Sequence, residues 1–235
     1  MGAEQKVIVF SGAGMSAESG LSTFRDSGGL WEQHRIEDVA TPEAWRANPK
    51  LVLSFYQKRW EQIRQASPNE GHYALSTLQD YFPLNIITQN VDDLHERAGS
   101  RKVLHLHGEI VKVRCSVNPL DSFAWTQDRY IQIGDKSASG GQLRPDIVWF
   151  GEEVPAMDQA IELARTADIF IVVGTALNVY PAAGILHYVP RSAQKYVIDP
   201  NPPAGALSAG FKFIRAGASD GLKDLVASLM EGKIS

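Results

Sequence analysis

Short apolar runs rich in β-branched and aromatic residues recur along the chain at Val7–Phe10, Asn85–Thr88, Ile147–Phe150, Asp168–Val173, Gln194–Ile198 and Phe211–Ile214. Each is too short for a buried helix and is bounded by Gly, Pro or polar residues, which predicts buried strands. Between them the spacing changes to three and four. Thr41-Pro42 opens a short helix with Thr41 as its cap, and Asn48-Pro49 repeats the signal for a longer one through about Ala66. On that helix Val52, Phe55, Tyr56, Arg59 and Ile63 share one face. Further helices are predicted over His72–Tyr81, Asp158–Thr166 and Ser219–Met230, with another beginning in Val179–Gly184. Strands alternating with helices predict an α/β fold built on a doubly wound parallel sheet. The polar blocks 31–84 and 110–146 interrupt that alternation and read as two insertions forming a small second lobe. The main domain is then 1–30, 85–109 and 147–235. Ser116–Gln142, rich in Ser, Asp, Gly and Gln, reads as loops, with Gly134–Gly141 as a loop or hairpin.

The first run passes directly into Ser11-Gly12-Ala13-Gly14 and then into helix-compatible Met15-Ser16-Ala17-Glu18-Ser19. A strand turning through glycines into a helix is expected to leave backbone N–H groups unpaired at the positive end of the helix dipole, where a diphosphate can sit. Gly12, Gly14 and Ala17 match the loose G-x-G-x-x-G/A spacing of a Rossmann-like dinucleotide loop. They match equally a tight turn that simply needs two glycines. A dehydrogenase would return to a second strand ending in an acid for the adenosine ribose. Here Ser22–Trp31 is polar and glycine-rich, and neither Asp26 nor Glu37 ends an apolar run. A nucleotide is expected, without hydride-transfer architecture.

Composition narrows the classes. An apolar fraction of 44% and a charged fraction of 21% are ordinary for a globular protein. The net charge of −4, with no basic stretch, argues against a nucleic-acid partner. No apolar run is long enough to cross a bilayer, and Met1–Lys6 has neither an apolar signal region nor the myristoylation pattern. Cys115 is the single cysteine, so no internal disulfide forms and a reducing compartment fits. A cytoplasmic monomer is expected.

The polar residues that follow apolar runs carry the candidate chemistry. Gln89-Asn90-Val91-Asp92-Asp93 crowds amides and carboxylates at the carboxyl end of a buried strand, the edge where open α/β sheets bind ligands. A helix cap at Asn90 or Asp92 would explain one of them. His105 and His107, two apart, lie on one side of an extended segment. No ligand partner stands at metal spacing, so one imidazole as a general base beside a nucleotide, with the other structural, is the better reading. On the long helix, Arg59 beside Tyr56 either holds a buried anion or snorkels to the rim.

Taken together, Gly12-Ala13-Gly14-Met15-Ser16, Thr23-Phe24-Arg25-Asp26, Thr88-Gln89-Asn90-Val91-Asp92, His107-Gly108-Glu109 and Gly174-Thr175 resemble the signature set of the sirtuins, the NAD-dependent protein lysine deacylases. They occur in the family's order and cover about residues 7–220. Tyr56-Gln57-Lys58-Arg59 resembles the Tyr-x-x-Arg pair of bacterial CobB-like desuccinylases and demalonylases. The resemblance implies transfer of an acyl group from lysine to ADP-ribose, giving nicotinamide and 2′-O-acyl-ADP-ribose, with succinyl and malonyl favoured and acetyl possible. It implies catalytic roles for His107 as general base and for Asn90 and Asp92 at the nicotinamide carboxamide. Gln89 would meet the ribose, Phe24 would shield the sugar and Arg25 would anchor the loop. Gly12, Ala13, Gly14, Ser16, Ala17, Gly174, Thr175, Asn178, Asp199 and Ala218 would complete the NAD site. Tyr56 and Arg59 would hold the distal carboxylate, with Ala40 leaving room. Val148, Phe150, Gly151 and Glu152 would bind the acyl-lysine peptide as an added strand.

Three positions depart from the family pattern. One cysteine cannot build the usual Cys₄ zinc site, so no zinc is expected. Ala176 replaces a usual Ser, and Asp199 replaces the Asn that usually meets the adenosine ribose. A mono-ADP-ribosyltransferase would use the same NAD cleavage but has no use for an acyl pocket. A silent NAD-binding module has no need of His107 with Asn90 and Asp92.

Overall fold

A computed structural model describes residues 5–21, 34–175, 177, 180–201 and 210–232. Its centre is a six-stranded sheet in which every paired neighbour is parallel. The strands are β1 (Val7–Ser11), β2 (Leu84–Thr88), β3 (Val103–His105), β7 (Ile169–Val173), β8 (Gln194–Ile198) and β9 (Phe211–Ile214), in the order β3-β2-β1-β7-β8-β9. β1 and β7 are buried along their whole length. Such strands are covered on both faces, which is why they read as unbroken apolar runs rather than as alternating ones. The chain builds outward from β1 to β3, then returns to β1's other edge with β7. That reversal opens a crevice at the carboxyl ends of β1 and β7.

Helices cover both faces. On one side Val7, Val9, Ile86, Ile171 and Ile198 pack with α5 (Glu70–Leu78) and α8 (Ala218–Met230). On the other, Ile8, Phe10, Ile87, Phe170 and Val172 pack with α7 (Met157–Arg165) and a 3₁₀ helix over Ala182–Tyr188. That 3₁₀ turn replaces the helix expected to begin at Val179–Gly184, of which Val179 lies outside the described residues. Fully burying side chains such as these contributes roughly 1.5–3 kcal/mol each.

A third core lies away from the large sheet. There α2 (Ile36–Val39), α3 (Pro42–Ala47) and α4 (Pro49–Gln65) pack on a three-stranded antiparallel sheet of order β5-β4-β6. Both helix starts were legible: Thr41 accepts from Ala44 N, Asn48 accepts from Leu51 N, and proline opens each helix. The small sheet was not. β5 (Ser122–Ala124) lies inside the stretch expected as loops, β4 (Gly108–Cys115) just before it was not anticipated as a strand, and a register shift between Glu109 and Val113 breaks the period-two alternation that would have revealed β4. The strand expected at Ile147–Phe150 is β6, Leu143–Ile147. Pro145 masked it, yet β6 is an edge strand and its outer side needs no donor. Among the described residues no helix is long and apolar enough to cross a membrane.

Candidate active site

Carboxyl ends of β1, β2 and β7 deliver the Gly12–Ala17, Gln89–Asp92 and Gly174–Thr175 segments to one cleft of about 760 Å³. The other wall comes from α4, which brings Tyr56 and Arg59, and from Ile147–Glu152. The cleft also reaches Ala40, His107, Asp199 and Ala218.

The glycine loop is built differently from the expectation. The N–H groups of Gly12, Gly14, Met15 and Ser16 are paired, with Val173 O, Gly174 O, Gly12 O and Ala13 O. Helix α1 (Gly14–Ala17) is a single turn, so its dipole is small. The glycines answer a packing demand instead. A Cβ on Gly12 would lie 2.6 Å from Thr175 Cβ, one on Gly14 would lie 2.8 Å from Gly174 Cα, and one on Gly174 would lie 2.2 Å from Met15 N. Gly174 also holds a φ of +62°, which favours glycine.

The polar chemistry sits deeper. Asn90 Nδ2 donates to Ser16 Oγ at 3.1 Å, and Ser16 donates to Asp92 Oδ2 at 3.0 Å. Asp92 Oδ1 accepts from Leu94 N at 3.2 Å, at the start of α6 (Leu94–Arg97). All three side chains are buried. Burial pushes the Asp92 carboxyl up, against the pull of the Leu94 and Ser16 hydrogen bonds. Behind them, His95 Nε2 lies 3.0 Å from Ser11 Oγ, which donates to Thr88 Oγ1, which in turn accepts from Asn90 N. Since the Ser11 proton is spent on Thr88, His95 is the donor to Ser11. Gln89 Nε2 bridges to Thr175 Oγ1 at 3.0 Å, joining the β2 and β7 loops.

The two histidines separate cleanly. His107 Nδ1 lies 3.0 Å from Gln89 O. A carbonyl only accepts, so Nδ1 carries the proton and Nε2 keeps its lone pair. Burial lowers the His107 pKa, against the Gln89 hydrogen bond, which holds the ring neutral near pH 7. His107 therefore presents an unprotonated Nε2 beside the cleft. His105 faces two acceptors, Asn90 O and Glu96 Oε1, each at 2.9 Å. Burial alone would lower its pKa, but the Glu96 hydrogen bond and charge and the Asn90 carbonyl raise it overall. It is a structural tie between β3 and α6.

At the other end of the cleft, burial pushes the Tyr56 hydroxyl up to about 12 despite Arg59, so it stays protonated. Burial lowers the Arg59 pKa, and Tyr56, Asp92 and Tyr130 counter it. The Glu152 carboxylate closes the Ile147–Glu152 turn on itself. It accepts from Trp149 N at 2.8 Å, from Arg114 at 3.0 Å and from both terminal nitrogens of Arg144 at 2.7 and 3.0 Å. Arg144 lies 3.3 Å beneath the Trp149 ring. Val148 N donates to His107 O and Phe150 N to Ala40 O. Gly151, at φ +88°, lets the turn close.

Of the residues singled out from sequence, Phe24, Arg25 and Asn178 lie outside the described residues, as does Ala176. The others are brought together here. Trp149, Arg144 and His95 are site residues that the sequence pattern does not single out. An indole inside the Val148–Glu152 run was a signal for the first. Among the described residues no group of three or more His, Cys, Asp or Glu could hold a metal. Cys115 is surrounded by Ser137, Val117, Asn118 and Gly141, a donor set that does not fit zinc.

A model of the Sir2 family matches residues 12–181. An NAD-dependent protein deacylase of Bacteroides thetaiotaomicron is 49% identical over 225 residues, covering 94% of this chain and 96% of the relative. One from Helicobacter pylori is 46% identical over 227 residues, covering 97% of this chain and 96% of the relative. The solved structure of a Sir2 homologue in complex with NAD superposes with a TM-score of 0.86 at 37% identity, covering 98% of this chain and 91% of that one. A family match across most of the chain, with relatives near half identical over nearly all of it, leaves one conclusion: the chain belongs to the Sir2 family.

Proposed function

We propose that this protein is an NAD-dependent protein lysine deacylase that favours acyl groups ending in a carboxylate. One observation carries the reading. A single cleft holds a neutral imidazole with a bare Nε2 at one wall and a buried Tyr56/Arg59 pair at the other. The first can take a proton, and the second can hold an anion.

When bound, NAD supplies a sugar carbon that loses nicotinamide and the ribose hydroxyl that receives the acyl group. The residues present fit it. Asn90, Ser16 and Asp92 form a buried chain of amide, hydroxyl and carboxyl groups suited to a carboxamide. The paired glycine loops, with Asp199 and Ala218, line the remainder of the cleft for the diphosphate and adenosine. Gln89 is held toward the ribose by Thr175. His107 Nε2 accepts the proton of the ribose hydroxyl, while the Gln89 carbonyl keeps Nδ1 protonated and the ring oriented. Val148, Phe150 and Gly151 present the edge along which an acyl-lysine peptide lies, and Glu152 fixes that edge. Phe24, Arg25 and Asn178 belong to the same NAD site in this reading. Arg59 with Tyr56 holds the far carboxylate, a charge-assisted bond of about 2 kcal/mol. The small lobe holds no zinc in this reading.

The test is mass spectrometry of matched peptides carrying acetyl-, succinyl- and malonyl-lysine with NAD, for wild type, Arg59→Met and His107→Tyr. Acidic acyl groups should be removed fastest, with acyl-ADP-ribose formed. Arg59→Met should abolish that preference, and His107→Tyr should abolish turnover. Equal rates on acetyl peptide with a neutral Arg59→Met would make the pair ordinary core. ADP-ribosylated protein without deacylation would make the enzyme a transferase.

A further inference from the structure

Behind the cleft lies a group of buried polar side chains that none of the steps above uses. Ser11, Thr88 and His95 are each at most 1% exposed, and none of them lines the cleft. Apolar side chains would pack there as well, and a buried polar group is costly unless its hydrogen bonds are made. Here they are made in series. Register sets Ser11 against Thr88 across β1 and β2. His95 Nε2 donates to Ser11 Oγ at 3.0 Å and Ser11 donates to Thr88 Oγ1 at 2.9 Å. That same Thr88 oxygen accepts the backbone N–H of Asn90 at 3.0 Å.

A second series reaches Asn90 from the other side. His105 Nδ1 donates to the Asn90 carbonyl at 2.9 Å, and His105 Nε2 is held by Glu96 Oε1 at 2.9 Å. His95 and Glu96 are consecutive in α6, so one helical turn grips both backbone polar groups of Asn90. The His95 ring is itself confined. His72, whose Nδ1 accepts from Asn69 N at 3.2 Å, packs edge-on against it with centroids 4.9 Å apart. Burial lowers the His72 pKa to about 4 and that of His95 well below the ordinary 6.5, so both rings are neutral. A neutral imidazole has a single N–H, and His95 spends its own on Ser11.

The residue gripped in this way is part of the cleft. Asn90 is buried, lines the cleft and directs its side-chain amide to Ser16. Fixing its N–H and C=O leaves only side-chain torsions to decide where the amide points. One amide recognises another through donor and acceptor presented together at hydrogen-bonding distance and angle. Setting that orientation before the ligand arrives removes an ordering cost from binding.

We propose that His95 and His105 are positioning residues for Asn90, the first acting through Ser11 and Thr88 and the second on its carbonyl, and that together they hold its amide in the orientation that takes the carboxamide of the nicotinamide ring. This rests on the reading above that places the carboxamide at Asn90. It gives α6 a task beyond packing, since two neighbouring side chains on it set the aim of a group in the cleft.

The experiment is calorimetric titration of NAD and of ADP-ribose, with peptide left out, into wild type, Asn90→Ala, His95→Phe and His105→Phe. ADP-ribose is the cofactor without its nicotinamide, so it reports everything except the carboxamide contact. In each histidine variant the Kd for NAD should rise about tenfold, the scale of one lost hydrogen bond, while the Kd for ADP-ribose stays unchanged. Asn90→Ala should weaken NAD at least as much and also spare ADP-ribose. An equal loss for both ligands in the histidine variants makes the two series ordinary packing and overturns the inference, and so does no loss for either ligand. If Asn90→Ala weakens NAD alone and the histidine variants do not, this inference falls and the carboxamide reading stands. If Asn90→Ala leaves NAD binding intact, the carboxamide reading falls and takes this inference with it. Should a histidine variant fail to fold, Ser11→Ala cuts the first series by removing one oxygen. The same loss confined to NAD is expected there, and its absence rejects the positioning role.

Discussion

At the scale of single residues, the backbone carbonyl of Gln89 decides what His107 can do. It fixes the tautomer, and burial then depresses the pKa below the ordinary 6.5. A histidine with a lowered pKa stays neutral to a lower pH, so the base remains competent as the solution is acidified. kcat/KM should therefore be flat from pH 8 down through about 6.5, the unperturbed value, and fall only below it. An acid limb centred at or above pH 7 would contradict the assignment. Replacing His107 by Ala should cost about 10²–10⁴ in rate. His105, two residues earlier, shows how little sequence spacing distinguishes such a pair. The identities are the same, and only the second acceptor, Glu96, makes one of them structural.

Among the elements, α5 is fastened to the turn after β1 although none of its residues lines the cleft. Asn69 caps it by accepting from Gly71 N and His72 N, while His72 Nδ1 accepts from Asn69 N in return. The Asn69 amide also donates to Met15 O and Ser19 Oγ, tying the helix start to the turn after β1. Asn69→Ala should lower unfolding free energy by about 1–2 kcal/mol in urea titrations, the cost of a lost cap. A change within a few tenths would show the cap to be idle. Helix starts of this kind were legible where proline and a capping Thr or Asn coincide, as at Thr41 and Asn48. Asn69 was missed because no proline follows and the box is closed by His72 rather than by Glu or Gln. Strands were legible where both faces are buried, as in β1, β2, β7 and β8. The small sheet hid because Pro145 interrupts β6 and a bulge interrupts β4. The site residues at strand ends could be read from sequence, since polar clusters after apolar runs need a use. Trp149, Arg144 and Glu152 could not be read as a unit, because their partnership depends on a turn that only tertiary structure closes.

For the whole molecule, the small antiparallel sheet packs against the helices of the third core. Ile110, Val113, Leu143 and Ile147 share a core with α4, and Arg114 and Arg144 bind it to the cleft wall through Glu152. Treatment with a strong zinc chelator should leave the melting temperature and deacylase rate unchanged. A fall of several degrees would reveal a metal that this donor set does not anticipate. The interlocked glycine turns have a different consequence, for the paths open to variation. Gly14 and Gly174 each fill the space that a methyl on the other would claim, and a methyl on Gly12 would run into Thr175 and the Gly174 carbonyl. No single step to alanine at one can be compensated at another, since every such change adds volume to the same gap. The three positions behave as one heritable unit. In a saturation library selected for function they should fall silent together.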